Sequence, residues 1–378
     1  MRFVHLSDLH TGKRVNEFSM LEDQRYIFAQ IIEIIRNNDI DAVLIAGDVY
    51  DRSVPGEEAV RLFEEFIIGL TNLGKKIFVI SGNHDSAQRL SFAHELISKS
   101  GVYISPAYDG SSLPVTLMDE YGEVNIYMLP FIKPSSVKSC FADAQIESFD
   151  DAVRFAINRM NVDESKRNII LAHQFVTGSQ TSDSEERSIG GLDNVDADAF
   201  DAFDYVALGH IHKPQRLLRD TLRYSGTPLK YSFSEEDNKN SVVVVDFKEK
   251  GSIAINLIPL KPIRDMRTVK GKYEEITLKS SYDGSNRDDY IRVVLTDEDD
   301  VMDAMARLRA VYPNIMKLEY DNKRSSAGRD FSLGERVEDK TEIELFTELY
   351  EQQNGMSMNE KQQEFVERIV SRLKGDMQ

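Results

Sequence analysis

The sequence predicts an α/β protein built from two facing sheets with helices outside. Two observations of pattern carry this. The first third of the chain repeats a short apolar strand followed by an amphipathic helix, and the middle third is richer in short strand pairs. A third observation concerns chemistry: residue types that bind metals fall at the carboxyl ends of the apolar strands.

Phe3 to Leu6 reads as the first strand. Met20 to Asn37 reads as a helix, with Ile27, Phe28, Ile31, Ile32, Ile34 and Ile35 supplying its apolar side. Ala42 to Ala46 is the second strand, Glu57 to Leu70 the next helix, and Lys76 to Ile80 the third strand. Parallel strands need long crossovers, so strand, helix, strand in short succession predicts a parallel sheet in a layered α/β fold. Val115 to Leu117 and Val124 to Leu129 then suggest a hairpin pair. Ile169 to Ala172 and Tyr205 to Leu208 read as short buried strands, and Ser241 to Asp246 pairs with Ile253 to Leu257. A second sheet facing the first accommodates them.

From Pro262 the order becomes strand (Tyr273 to Leu278), strand (Ile291 to Leu295), helix (Asp300 to Tyr312) and strand (Ile315 to Leu318), a small α+β module. Asp321 to Lys340 is polar, contains Ser325-Ser326-Ala327-Gly328, and reads as a linker. Two amphipathic helices follow, one carrying Leu345, Phe346, Leu349 and Tyr350, the other Phe365, Val366, Ile369, Val370 and Leu373. The expected division is therefore 1–261, 262–320, a linker at 321–340, and a helical segment at 341–378. Each apolar stripe suits either packing on this chain or capture of a partner.

The balance of 41% hydrophobic and 29% charged residues over 378 positions is that of a folded globular chain of two or three domains. No apolar run approaches the ~18 residues of a membrane span. The amino terminus enters a strand pattern directly, without the features of a secretory signal. A lone Cys140 cannot form an internal bridge. A cytoplasmic location is the expectation. The net charge of −18 opposes unaided binding to nucleic acid. Any such grip would draw on metal ions, local basic patches or a partner protein.

In chain order the strand ends carry Asp8-Leu9-His10, then Gly47-Asp48-Val49-Tyr50-Asp51-Arg52, then Gly82-Asn83-His84-Asp85, then His173, then Gly209-His210-Ile211-His212. Five of the seven histidines lie at such ends. In open α/β sheets this rim is where ligands bind. Imidazole, carboxylate and one amide oxygen suit divalent first-row metals. Asp8, His10, Asp48, Asn83, His173, His210 and His212 are too many donors for one ion, so two are implied. In D-x-H and H-x-H, alternate residues share a face and can pinch one ion. Asp48, with two oxygens, is the natural bridge between ions roughly 3.5–4 Å apart. Two divalent ions against two carboxylates leave the site positive and attractive to phosphate. His84 is read as a proton or hydrogen-bond donor toward the phosphate, with Asp85 orienting its ring.

At these residues the chain resembles the calcineurin-like metallophosphoesterase superfamily, whose blocks D-x-H, G-D-x-x-D, G-N-H-[DE], H and G-H-x-H all occur here in order. The resemblance implies that Asp8, His10, Asp48 and His212 hold one ion and Asp48, Asn83, His173 and His210 the other, with His84 catalytic. Longer stretches, Leu171 to Gly178, Phe203 to Gln215 and Tyr224 to Glu235, resemble the nuclease subunits of bacterial SbcCD complexes, and the likeness extends over nearly the whole chain. It implies a manganese-dependent DNA nuclease, with ATP-dependent 3′–5′ double-strand exonuclease and single-strand or hairpin endonuclease activity in repair and recombination. It also implies a homodimer joined to an SbcC-type ABC ATPase in a heterotetramer. The module after Pro262 would cap the site, the last helices would dock on the ATPase, and the helix Gln88 to Lys99 with its neighbour would make the dimer contact. Leu9 stands where such proteins often have Trp, and Thr11 where Leu is common.

Other readings stay open at this point: a small-molecule phosphodiesterase or phosphatase with the same metals, or a scaffold on this fold. His5 and His94 read as packed or surface histidines, and Asp51 as a cap or a support behind the ligands. Lys13, Arg14 and Arg52 are candidates for phosphate contact. Tyr231 and Phe233 suit either base stacking or core packing. The loop Ser179 to Gly191 reads as mobile.

Overall fold

In the computed structural model, residues 1–185, 193–322, 342–354 and 357–375 are described. They divide into two compact units, Met1–Met266 and Arg267–Gln378.

The first unit holds two six-stranded sheets. In one, Arg2–Leu6 is central, parallel to Ala42–Ala46, which is followed outward by Lys76–Ile80 and Val102–Ile104, all parallel. On its other side lies Ser241–Phe247, antiparallel, and then Ile253–Pro259. In the second sheet Arg167–His173 and Tyr205–Gly209 are central and parallel. Gly122–Leu129 and Val115–Asp119 flank them on one side, Arg219–Tyr224 and Gln215–Leu217 on the other.

Period-two alternation explains the layering. Phe3, Ala42, Leu44, Phe78 and Ile80 from one sheet pack with Val124, Ile126, Ile169, Leu171, Tyr205 and Ala207 from the other. The outer face of the second sheet, through Leu129, Ile170, Ala172, Val206 and Leu208, packs on Ala152, Val153, Ala156 and Ile157 of the helix Phe149–Asn158. The helices Leu21–Asn37 and Glu57–Asn72 meet through stacked Phe28 and Phe66, whose ring centres are 4.5 Å apart. Each such buried large apolar side chain contributes roughly 1.5–3 kcal/mol. Among the described residues no helix is long and apolar enough to cross a membrane.

Two sequence expectations are corrected. Tyr273 to Leu278 is not a strand: the small sheet is Met266–Gly271, Tyr290–Leu295 and Ile315–Tyr320, and Tyr273–Ile276 is a short helix. Its first turn carries Glu274 and Glu275, favoured by the helix dipole, and Asp297 accepts the Tyr273 N–H at 2.8 Å. The continuous helix Gln88 to Lys99 is instead two short ones, Ala87–Leu90 and His94–Ser98, because Ala93 adopts φ 57°, outside the helical region.

In the second unit Ile276, Ile291, Val293, Leu295, Leu308, Tyr312 and Ile315 form a core of their own. Helices Glu342–Asn354 and Glu360–Gly375 follow. The proposed linker falls outside the described residues beyond Asn322.

Candidate metal centre

The strands Arg2–Leu6, Ala42–Ala46 and Lys76–Ile80 run parallel, so the loops carrying Asp8 and His10, Asp48, and Asn83 and His84 leave from one edge. Arg167–His173 and Tyr205–Gly209 bring His173, His210 and His212 from the facing sheet. Backbone bonds stitch the loops together: Asp8 N–H donates to Gly47 O at 3.0 Å and His10 N–H to Asp48 O at 2.9 Å. The approach is tight enough to require glycine. A Cβ on Gly209 would lie 1.9 Å from Ala46 O, and one on Gly47, at φ 88°, 2.4 Å from His173 Nδ1. Asp8, His10, Asp48 and His210 have φ of 53°, 42°, 48° and 104°, left-handed values that cost non-glycine residues about 1–3 kcal/mol each and cluster at functional sites.

All seven predicted donors meet here. His10 Nε2 is 3.0 Å from His212 Nε2, and both His173 Nε2 and His210 Nδ1 are 3.0 Å from Asn83 Oδ1. Asp48 Oδ2 lies between, 3.6 Å from His10 Nε2 and 3.4 Å from His173 Nε2. Donor atoms of Asp8, His10 and His212 lie within 4.8 Å of one another, as do those of Asp8, Asp48 and His173. Two ligands each about 2.1 Å from one ion and at right angles to it are about 3.0 Å apart, so these spacings suit shared coordination. His10, Asp48 and His84 form a third close group, which places His84 nearer the donors than its role as a proton donor alone required.

The surroundings fix which ring atoms face inward. His173 Nδ1 is 2.8 Å from Ala46 O, so an N–H is donated there and Nε2 is the nitrogen turned toward Asn83 and Asp48. Burial opposes charge on His173, but the adjoining Asp48 carboxylate outweighs it and lifts the imidazole to about 9. Burial pushes Asp8 up to about 6 and holds His210 down to about 3. For Asp48 burial works upward, yet the charge and hydrogen bond of His173 keep it well below the usual carboxylate range.

His84 and Asp85 are not arranged as expected. Asp85 faces the backbone, accepting N–H bonds from Val49 at 3.0 Å, Tyr50 at 2.9 Å and Gly82 at 2.9 Å. The ring of His84 is oriented by Asp51 O, 3.1 Å from its Nδ1. A buried carboxylate satisfies itself with nearby N–H donors, and this loop turns three of them toward Asp85. Asp85 thus holds the Asp48 loop against the Asn83 loop.

Sequence reasoning also missed several supports. Glu235, fully buried, is 3.0 Å from His212 Nδ1, and Ser7 Oγ donates to Asp8 Oδ2 at 2.5 Å. Glu235 ends the Tyr224 to Glu235 stretch, which was its one sequence signal. Lys13 reaches Asp51 at 2.7 Å rather than solvent, while Arg52 is largely exposed. Tyr231 donates to Leu9 O at 2.6 Å and Phe233 is buried, so both are packed and neither offers a stacking face. The start of the loop expected to be mobile is tied down, with Glu185 accepting His212 N–H at 2.8 Å; 186–191 lie outside the described residues. His5 lies in the inter-sheet layer, its Nδ1 3.0 Å from Tyr205 Oη and its Nε2 3.1 Å from Leu208 O.

Residues 1–214 match the calcineurin-like phosphoesterase family, and 262–354 match a family described as the type 5 capsule protein repressor C-terminal domain. The chain belongs to the calcineurin-like phosphoesterases and is a metal-dependent phosphodiester hydrolase. Within them it belongs to the SbcD family, the nuclease components of SbcCD. It is 34% identical over 377 residues to the SbcD component of nuclease SbcCD from Staphylococcus epidermidis, covering 98% of each chain. It is 32% identical over 381 residues to that of Staphylococcus saprophyticus, covering 99% of this chain and 98% of the relative. A dimetal phosphatase from Danio rerio aligns at TM-score 0.39 and 9% identity over 70% of this chain and 98% of that one.

Proposed function

We propose that this protein is the nuclease subunit of an SbcCD-type complex, hydrolysing DNA phosphodiester bonds with two divalent ions, Mn2+ by family likeness. The observation that carries the two-ion reading is the position of Asp48 Oδ2, 3.6 Å from His10 Nε2 and 3.4 Å from His173 Nε2. One carboxylate oxygen between two imidazoles from different sheets suits a bridge. Asp8, His10, Asp48 and His212 would hold one ion, and Asp48, Asn83, His173 and His210 the other.

The ions, when bound, supply positive charge for the phosphoryl oxygens and activate water near neutral pH. The rest falls to the chain. His84 gives its Nδ1–H to Asp51 O, which leaves Nε2, 3.9 Å from Asp48 Oδ2, to exchange a proton with the leaving oxygen. Asp85 keeps the Asp48 and Asn83 loops at their spacing through its three backbone bonds.

With a net charge of −18, a firm hold on DNA calls for help, and an SbcC-type ABC ATPase is the proposed partner. Residues 341–378 are its proposed docking segment. Supporting this, Phe346, Tyr350, Phe365, Val366 and Ile369 line one groove between the two last helices, with Phe346 and Phe365 about half exposed. In this reading 1–261 is the nuclease domain, 262–320 a capping domain and 321–340 a linker. A homodimer through the face bearing Phe92 and Leu96, 83% and 69% exposed, would complete a heterotetramer in the cytoplasm. The test is incubation of the Mn2+-loaded protein, with and without its ATPase and ATP, on linear duplex and hairpin DNA, cyclic nucleotides and a bis-aryl phosphate. ATP-dependent 3′–5′ shortening of duplex and opening of hairpins are expected. Turnover of the small esters with intact DNA would defeat the proposal.

A further inference from the structure

Glu235 is fully buried, and both of its oxygens are engaged. Oε2 accepts the Tyr231 N–H at 2.9 Å. Oε1 is shared by His212 Nδ1 at 3.0 Å, Ser182 Oγ at 3.2 Å and Ser184 Oγ. Ser184 Oγ is also 2.7 Å from His212 Nδ1, and the backbone N–H of His212 donates to Glu185 Oε1 at 2.8 Å. Three segments distant in sequence, 182–185, His212 and Glu235, thus close around one imidazole. Its other nitrogen, Nε2, faces His10 Nε2 at 3.0 Å.

A carboxylate accepts only, so the hydrogen between Glu235 and the ring belongs to His212 Nδ1. In the neutral ring this makes Nε2 the nitrogen without a proton, directed at the metal position. We propose that Glu235 is a positioning residue for the metal centre, fixing the tautomer and ring plane of His212 so that Nε2 is presented to the ion. Glu235 acts on the ligand through His212 Nδ1, and its other partners are Tyr231, Ser182 and Ser184. Ser182 and Ser184 complete its hydrogen bonding, which makes the ordered start of the 179–185 loop part of the support. The inference rests on His212 being a metal ligand.

Two measurements on the full chain test it. The first is imidazole 15N NMR of the wild-type protein, metal-free and Zn2+-loaded, at a pH of about 8. Protonated Nδ1 and a bare or metal-shifted Nε2 are expected for His212; an Nε2–H tautomer overturns the inference without any variant. The second is Mn2+ titration calorimetry. Glu235→Gln is expected to weaken one of two ions about 10–100-fold and leave the other unchanged. Ser184→Ala, which retains the carboxylate–imidazole bond, should keep both. Unchanged affinities in Glu235→Gln, or an equal loss in Ser184→Ala, would overturn it. Wild-type protein that binds no Mn2+ would remove the ligand reading and this inference together.

Discussion

The Nδ1 of His84 lies 3.1 Å from the backbone carbonyl oxygen of Asp51, a residue of the loop that also carries Asp48. The proposed proton donor is therefore aimed by the same loop that supplies the proposed bridging ligand, and the two are placed together. His84→Gln should lower DNA hydrolysis by about 10²–10⁴-fold, the usual worth of a positioned acid–base group, while Mn2+ stoichiometry and thermal stability stay near wild type. Single-turnover cleavage alongside calorimetry checks this; a variant cleaving at the wild-type rate would refute the role.

Asp48→Asn separates metal binding from folding. Asp48 Oδ1 accepts the His84 N–H at 2.9 Å, a bond the amide oxygen of Asn can keep, whereas the charge beside His10 and His173 is lost. Hydrolysis is expected to vanish and Mn2+ binding to weaken at both ions, with circular dichroism unchanged. Loss at one ion alone would rule out the bridge.

Asp85→Asn is expected to act through structure. An amide has one acceptor oxygen where the carboxylate has two serving Val49, Tyr50 and Gly82, so at least one buried N–H loses its partner, at about 1–3 kcal/mol. Denaturant unfolding should show that loss. A variant of wild-type stability but without turnover would instead return Asp85 to a direct role in the chemistry.

His5 gives a stability signature in acid. Burial, aided by the nearby Arg223 charge, depresses its imidazole from 6.5 to about 3. Between those values the unfolded chain holds a proton that the folded chain lacks, so folding stability rises with pH across that window. The contribution is complete above 6.5 and is eroded as pH falls toward 3. In chelator, the stability advantage of wild type over His5→Gln should be flat above pH 7 and shrink below about 6. An advantage that grows on acidification would contradict the assignment.

The exposed pair Phe92 and Leu96 bears on assembly. Phe92→Asp combined with Leu96→Asp should convert a dimer to a monomer in light scattering and leave hydrolysis of a small bis-aryl ester unaffected. A doubly substituted protein that remains dimeric would place the contact elsewhere.

The sequence by itself determined the strand-and-helix alternation of the first unit and the chemistry of its strand ends. Apolar periodicity is local, and Asp8, His10, Asp48, Asn83, His173, His210 and His212 carry their donor groups wherever they stand. Only the tertiary structure decided which group supports which. Asp85 and Asp51 are near neighbours of the ligands in sequence, yet Asp85 turned to backbone N–H groups and Asp51 supplied a carbonyl to His84. Glu235 met His212 across 23 residues. Such choices depend on which donors a loop leaves unsatisfied once it is packed, and no spacing in the chain encodes that.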